Sequence, residues 1–161
     1  MIRKKRLYSR PKKAYELSRI KEENALMEKY GLKNKREIWK SLAKVNYFRR
    51  RAKALAKSPI EKQQVLFNKL NALGIKVSSI ADVLALKLED LLERRLPTVV
   101  AKRGFAKTPQ QARQFVVHKK VLINDKVNNT PSYLVPVSEE NHISIRTHAK
   151  AHKEAEPEAR Q

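Results

Sequence analysis

His148 and His152 stand four residues apart, a spacing that sets two imidazoles on one helical face for a metal ion. No third ligand is close in sequence. The chain has no cysteine, so thiolate chemistry and cysteine-held zinc or iron–sulfur centres are excluded, and no metal or other cofactor is expected. Asp90 and Glu93 have the spacing of an acid–base pair. Asp90 also stands four before Arg94, and a helical ion pair explains it better, since a catalytic carboxylic acid needs desolvation that nothing here promises. No serine sits in a nucleophile-elbow pattern. The three glycines close helical segments, which leaves none to cradle a nucleotide phosphate. The expectation is that the protein is not an enzyme.

The residues that remain are cations and amides: Arg94, Arg95, Lys102, Arg103, Lys107, Thr108, Gln111, Arg113, Gln114, His118, Lys119 and Lys120. Guanidinium forks match phosphate oxygens, Gln amides and the Thr hydroxyl can reach a sugar 2′-OH, and a helix starting at Thr108 offers free N–H groups to an anion. Structured RNA suits that set better than sequence-read DNA. Lys and Arg number 37 against 16 Asp and Glu, a net charge of +21. Residues 1–57 hold 20 of the basic groups and 5 of the acidic ones, and residues 90–120 hold 8 and 2. Like charges at helical spacing repel unless a polyanion screens them, and nucleic acid does so with release of counterions. Membrane is not expected as partner: no apolar run approaches the ~18 residues of a span, and the apolar stripes lie between cap signals that commit them to a core. The acid-free start, residues 1–13, runs directly into helical pattern without a cleavage-like break.

Periodicity supplies the elements that must hold these groups. Leu17, Ile20, Met27 and Tyr30 predict a helix over 14–30, stopped by Gly31. Asn34 and Glu37 form a capping-box pattern ahead of a helix whose inner face is Ile38, Leu42, Val45, Phe48, Ala52 and Leu55, with Lys35, Arg36, Lys40, Lys44, Arg50, Arg51 and Lys57 opposite. Ser58-Pro59-Ile60-Glu61 reads as another box opening a helix through Leu66, Leu70 and Leu73 to Gly74. Ser79 and Asp82 open a short helix. Pro97 should split the stretch from Leu88 to Val100 into two helices meeting near Leu96. Thr108 and Gln111 cap the next, with Ala112, Phe115 and Val116 turned inward. Alternation then predicts strands at 121–123 and 126–127 around Asn124-Asp125, and again over 133–137 and 142–145.

YGLKNKREIWK at 30–40, LALKLEDLLERRLPTVVAKRGFAKTPQQARQFVVHKKVLIN at 84–124 and NTPSYLV at 129–135 resemble the small-subunit ribosomal protein S-four family in its archaeal and eukaryotic form. The likeness spans roughly residues 30–145. It implies an α+β fold, a mainly helical body with a C-terminal S-four-type RNA-binding domain of helices and a small antiparallel sheet. It further implies a structural constituent of the small ribosomal subunit that binds its rRNA directly and early in assembly, close to where mRNA enters the subunit. RNA contacts carried onto matching positions are Arg94, Arg95, Arg103, Lys107, Gln111, Arg113, Gln114 and Lys119, joined from the residues themselves by Lys102, Thr108 and Lys120. Arg36 and the run Arg49, Arg50, Arg51 belong to a second, helical surface. Pro97 and the Asn124-Asp125 turn depart from the family pattern, the latter predicting a tight, strained hairpin.

The expected organisation is a basic arm over 1–13, a helical rRNA-binding body over 14–92, the S-four domain over 93–145 and a flexible tail over 146–161. Expected partners are small-subunit rRNA, neighbouring small-subunit proteins and mRNA where it enters, on cytoplasmic ribosomes. The competing reading is an S-four-like factor of pre-rRNA processing and assembly. An RNA-modifying enzyme with such a domain is disfavoured because only sixteen residues follow Ile145. Arg113→Glu is expected to abolish rRNA binding with helicity intact, and Phe115→Ala to remove a core side chain.

Overall fold

Three helix stops are made by a left-handed glycine, Gly31, Gly74 and Gly104, with φ of 59°, 79° and 77°. The computed structural model describes residues 8–146; the His148/His152 pair, the arm before Tyr8 and the tail after Arg146 lie outside the described residues. The elements in order are α1 (Leu17–Tyr30), α2 (Lys35–Leu55), α3 (Ile60–Ala72), α4 (Ile80–Ala85), α5 (Leu88–Glu93), α6 (Leu96–Lys102), α7 (Pro109–Val117), β1 (Val121–Ile123), β2 (Lys126–Val127), α8 (Val137–Glu140) and β3 (Ile143–Ile145). The fold is α+β, as expected, with a helical body ahead of a domain of helices and a small antiparallel sheet. No helix among the described residues is long and apolar enough to cross a membrane.

Three apolar clusters divide the interior. Val45, Phe48, Ala52, Leu66, Leu70, Val83 and Leu91 bind α2, α3, α4 and α5 together. Tyr30, Leu32, Ile38 and Leu92 join α1 to α2 and α5. Leu96, Val99, Val100, Ala112, Val116, Val121, Ile123, Val135 and Ile143 form the C-terminal core. The chain passes from one interior to the next between Leu92 and Leu96. Pro97 sits in the first turn of α6, where its missing N–H leaves no bond unmade, so α5 and α6 are separate as predicted.

The sheet has the order β2-β1-β3, with Leu122 opposite Val127 and Val121 opposite Ile145. Asn124 and Asp125 both take positive φ, 48° and 61°, the pair of left-handed residues that a type I′ turn demands and that non-glycine residues adopt under strain. Ser79 and Asp82 form their capping box, and the Asp82 carboxylate, fed by the N–H groups and hydroxyls of Ser78 and Ser79, is held down at about 2.

Several expectations are corrected. The first helix starts at Leu17, not 14, and Leu17 is exposed; the Arg19 guanidinium takes the carbonyls of Lys13 and Ala14 at 2.8 and 2.9 Å, holding that stretch outside the helix. Asn34 makes no side-chain cap bond; the Glu37 N–H donates instead to the Asn34 carbonyl at 3.0 Å, and the Glu37 carboxylate is engaged elsewhere. Leu42 is exposed and Ser41 takes the buried place. Ser58 does not cap α3; its carbonyl accepts from Gln63 at 2.8 Å. Asp90 accepts from the Lys87 N–H at 2.7 Å and makes no pair with Arg94. Residues 133–137 are not a sheet strand. The Tyr133 carbonyl and Val135 N–H pair with Leu96 N–H and the Arg94 carbonyl, and Pro136 then opens α8.

Candidate nucleic-acid interface

Glu37 is the pivot between the body and the C-terminal domain. It stands on the first turn of α2, and both its oxygens are taken from the other side of the joint. Arg95 Nη2 donates to Oε2 at 2.6 Å, and Arg113 donates to Oε1 and Oε2 at 2.7 and 3.0 Å, a two-pronged guanidinium–carboxylate pair. Burial pushes the Glu37 pKa up, but the hydrogen bonds and charges of Arg113 and Arg95 outweigh it, so the carboxyl lies below its ordinary range. Nearby, the end of α1 meets the start of α7 at Gly31, where a Cβ would fall 2.8 Å from the carbonyl carbon of Pro109. No side chain larger than hydrogen fits that approach.

The basic residues predicted to meet RNA fall into two classes. The first class is turned to protein. Arg95 is 4% exposed and also donates to the Pro131 carbonyl; Arg94 donates to the Val135 carbonyl at 2.8 Å and to Glu140 at 2.9 Å, its guanidinium lying against Gly74. Arg113 is braced on Glu37, and Lys102 pairs with Glu93 at 2.8 Å. Arg103 donates to Asn141 Oδ1 at 2.7 Å, and Arg49 to the Leu86 carbonyl. The nitrogens that make these bonds reach a phosphate only by breaking them. Arg95 therefore holds the joint through Nε and Nη2 and lies beneath the surface.

The second class is open to solvent. Arg36, Arg50 and Arg51 project from α2, Arg51 bonding only the Tyr47 hydroxyl. Lys107 and Gln114 are exposed around α7, and Lys119 is exposed immediately beyond it. Thr108 Oγ1 accepts from the Gln111 N–H at 3.2 Å, and Gln111 reaches back to the Lys107 N–H at 2.9 Å, so the cap forms one residue wider than the predicted box. Lys119 closes α7 at φ 59° where glycine is usual, and Lys120 lies over the Phe115 ring at 5.8 Å. Phe115 is only half-buried, while Val116 is fully enclosed.

Sequence reasoning assigned Glu37 only a capping role. Its partners lie 58 and 76 residues away, and no local spacing reveals such a pairing. Lys40 and Lys44 were legible as part of the α2 basic face. That they line a crevice with Arg95, Arg113 and Ser132 was not.

A family model for the S4 domain matches residues 94–141. Over 158 residues the chain is 45% identical to the small ribosomal subunit protein uS4 of Methanococcus aeolicus, an alignment covering 94% of this chain and 89% of that one. It is 39% identical over 153 residues to the protein of the same name from Methanocella arvoryzae, covering 87% and 75%. With the uS4 protein of Picrophilus torridus it shares 40% over 146 residues, covering 85% and 80%.

Proposed function

Because the chain belongs to the uS4 family of small ribosomal subunit proteins, we propose that it is a structural, non-catalytic constituent of that subunit and binds its rRNA directly. The observation that carries the reading is the class of open cations. Among the described residues, Arg36, Lys40, Lys44 and Arg50 on α2, and Lys107 and Lys119 around α7, meet no carboxylate. Charge left open on two surfaces beside one joint suits a folded polyanion, docked electrostatically and selected by shape. Residues 14–92 and 93–145 serve as the two binding units, with contacts from Arg36, Arg50, Arg51, Lys107, Gln114, Lys119 and Lys120. Binding early in assembly, contact with neighbouring small-subunit proteins, a cytoplasmic ribosomal location and a place near entering mRNA extend the reading on the strength of the family.

The test is binding of the full chain to small-subunit rRNA fragments at physiological ionic strength against a random polyphosphate of equal charge. Tighter, saturable binding to the rRNA is expected; equal binding overturns the reading. Recovery with mature small subunits separates a resident protein from an assembly factor, which would be found only with precursors.

A further inference from the structure

A crevice of about 290 Å³ opens between α2 and the segment from Pro131 to Leu134, beside the Glu37 joint. Lys40 and Lys44 of α2, Arg95 and Arg113, and the Ser132 hydroxyl line it. Among the described residues the only carboxylate on its wall is Glu37, and both Glu37 oxygens are already taken by the two guanidiniums. Four cations thus face one committed anion. Lys40 and Lys44 stand one helical turn apart, a like-charge spacing that disfavours the helix unless an anion lies between them. Arg95 contributes a second sign of incompleteness: its Nη1 is enclosed by protein and finds no acceptor among the described residues, a state that is expensive for a charged donor. Partial desolvation of its ammonium at the crevice wall, and then the Arg95 charge, lower the pKa of Lys44, a residue otherwise open to solvent, which places this ammonium within reach of the same positive field.

We propose that this crevice is a seat for one phosphate group of bound RNA, clasped by Lys40 and Lys44 over the Arg95–Arg113 pair. A phosphate supplies the uncommitted anion that Lys40 and Lys44 lack, and the seat is continuous with the open α2 face that carries Arg36. The same two guanidiniums that hold body to domain then lie beneath the phosphate, so that docked RNA spans the joint. The inference rests on the reading of the chain as an rRNA binder, and its test separates the two.

The full chain carrying Lys40→Gln and Lys44→Gln, both exposed, is compared with wild type in binding small-subunit rRNA across a salt series, while the guanidinium nitrogen signals of Arg95 are followed by NMR. The expected result is a shift of the Arg95 signals on adding rRNA, lost in the double variant, and a log–log salt slope flatter by about one. Orthophosphate at the same phosphate concentration identifies the source: no shift assigns the seat to a phosphate in the RNA chain, and an equal shift assigns it to the free anion and overturns the RNA assignment. If the wild-type chain binds rRNA while the Arg95 signals stay fixed and the slope is unchanged in the variant, the seat does not exist. If the wild-type chain ignores rRNA altogether, the RNA seat falls with the function.

Discussion

The outer face of α2 and the joint around Glu37 are both rich in arginine and lysine, yet they use them oppositely. On α2, Arg36 and Arg50 stand in solvent. At the joint, Arg94, Arg95 and Arg113 are drawn onto Glu140, Glu37 and main-chain carbonyls. The difference lies in the carboxylates, not in the cations. A guanidinium loses hydration on burial and stays there only with paired, hydrogen-bonded anions. Where the fold brings an acid within reach, a basic residue becomes architecture; where it brings none, the charge remains for a polyanion.

That contrast can be broken most sharply at its hinge. Glu37→Ala strands two arginines, one of them almost fully buried, and should destabilise the protein by about 3–5 kcal/mol, the cost typical of removing one partner of a buried pair. Urea melts of the variant and wild type read it directly; a loss below about 1 kcal/mol would show the joint to be ornamental. Arg113→Glu belongs here too. It sets a second carboxylate against Glu37, so it should lower stability as well as binding, which revises the expectation of a pure binding defect.

The next effect is in the C-terminal core. Phe115 is half-buried, so Phe115→Ala should cost about 1–2 kcal/mol, well short of the ~3–5 kcal/mol of a fully enclosed phenylalanine. Leu96, with no exposed surface, should cost more when cut to alanine, about 3 kcal/mol. A reversed order in thermal melts would show that the packing of this domain is misread.

Acid should weaken the joint and not the α2 face. The Glu37 pKa is lowered in the folded protein, so its contribution to stability is fully present above its unfolded value of about 4.3 and disappears as pH falls through the lower folded value. Urea midpoints of wild type should therefore fall with pH in that window more steeply than those of Glu37→Gln. Parallel curves would assign the acid sensitivity to other carboxylates.

Much of this architecture could be read in the sequence because its signals are local. The glycine stops, the Ser79–Asp82 box, the split at Pro97 and the turn at Asn124-Asp125 each depend on a few neighbouring residues. What stayed hidden depends on pairings across the chain. Glu37 has the position of a capping residue and acts as a counterion to Arg95 and Arg113. The apolar alternation over 133–137 is genuine, but it is met by the chain at 94–96 and ended by Pro136, so it never enters the sheet. Arg94 and Arg95 read as exposed for the same reason that Leu42 read as buried: periodicity gives a face, and tertiary contacts decide what covers it.

On the open face the expected effects are smaller in stability and visible in binding. Arg36→Gln with Arg50→Gln should leave stability within about 0.5 kcal/mol and flatten the salt dependence of rRNA binding by about two on the log–log slope. A large drop in melting temperature would mean that these residues have structural partners.

Lys119 joins the two behaviours in one residue, and its variant should show the smallest effects. It holds the left-handed position that ends α7, a strain that glycine does not feel. It also presents an exposed ammonium next to the basic face of that helix. Lys119→Gly relieves the backbone but adds chain entropy to the unfolded state, so the net gain should be modest, about 0.5 kcal/mol. The same change removes one cation, and rRNA affinity should fall with a salt slope flatter by about one. Stability and binding then move in opposite directions, which no purely structural role for Lys119 produces. If both fall together, the side chain is part of the packing; if affinity is unchanged while stability rises, Lys119 belongs with the arginines that serve the fold.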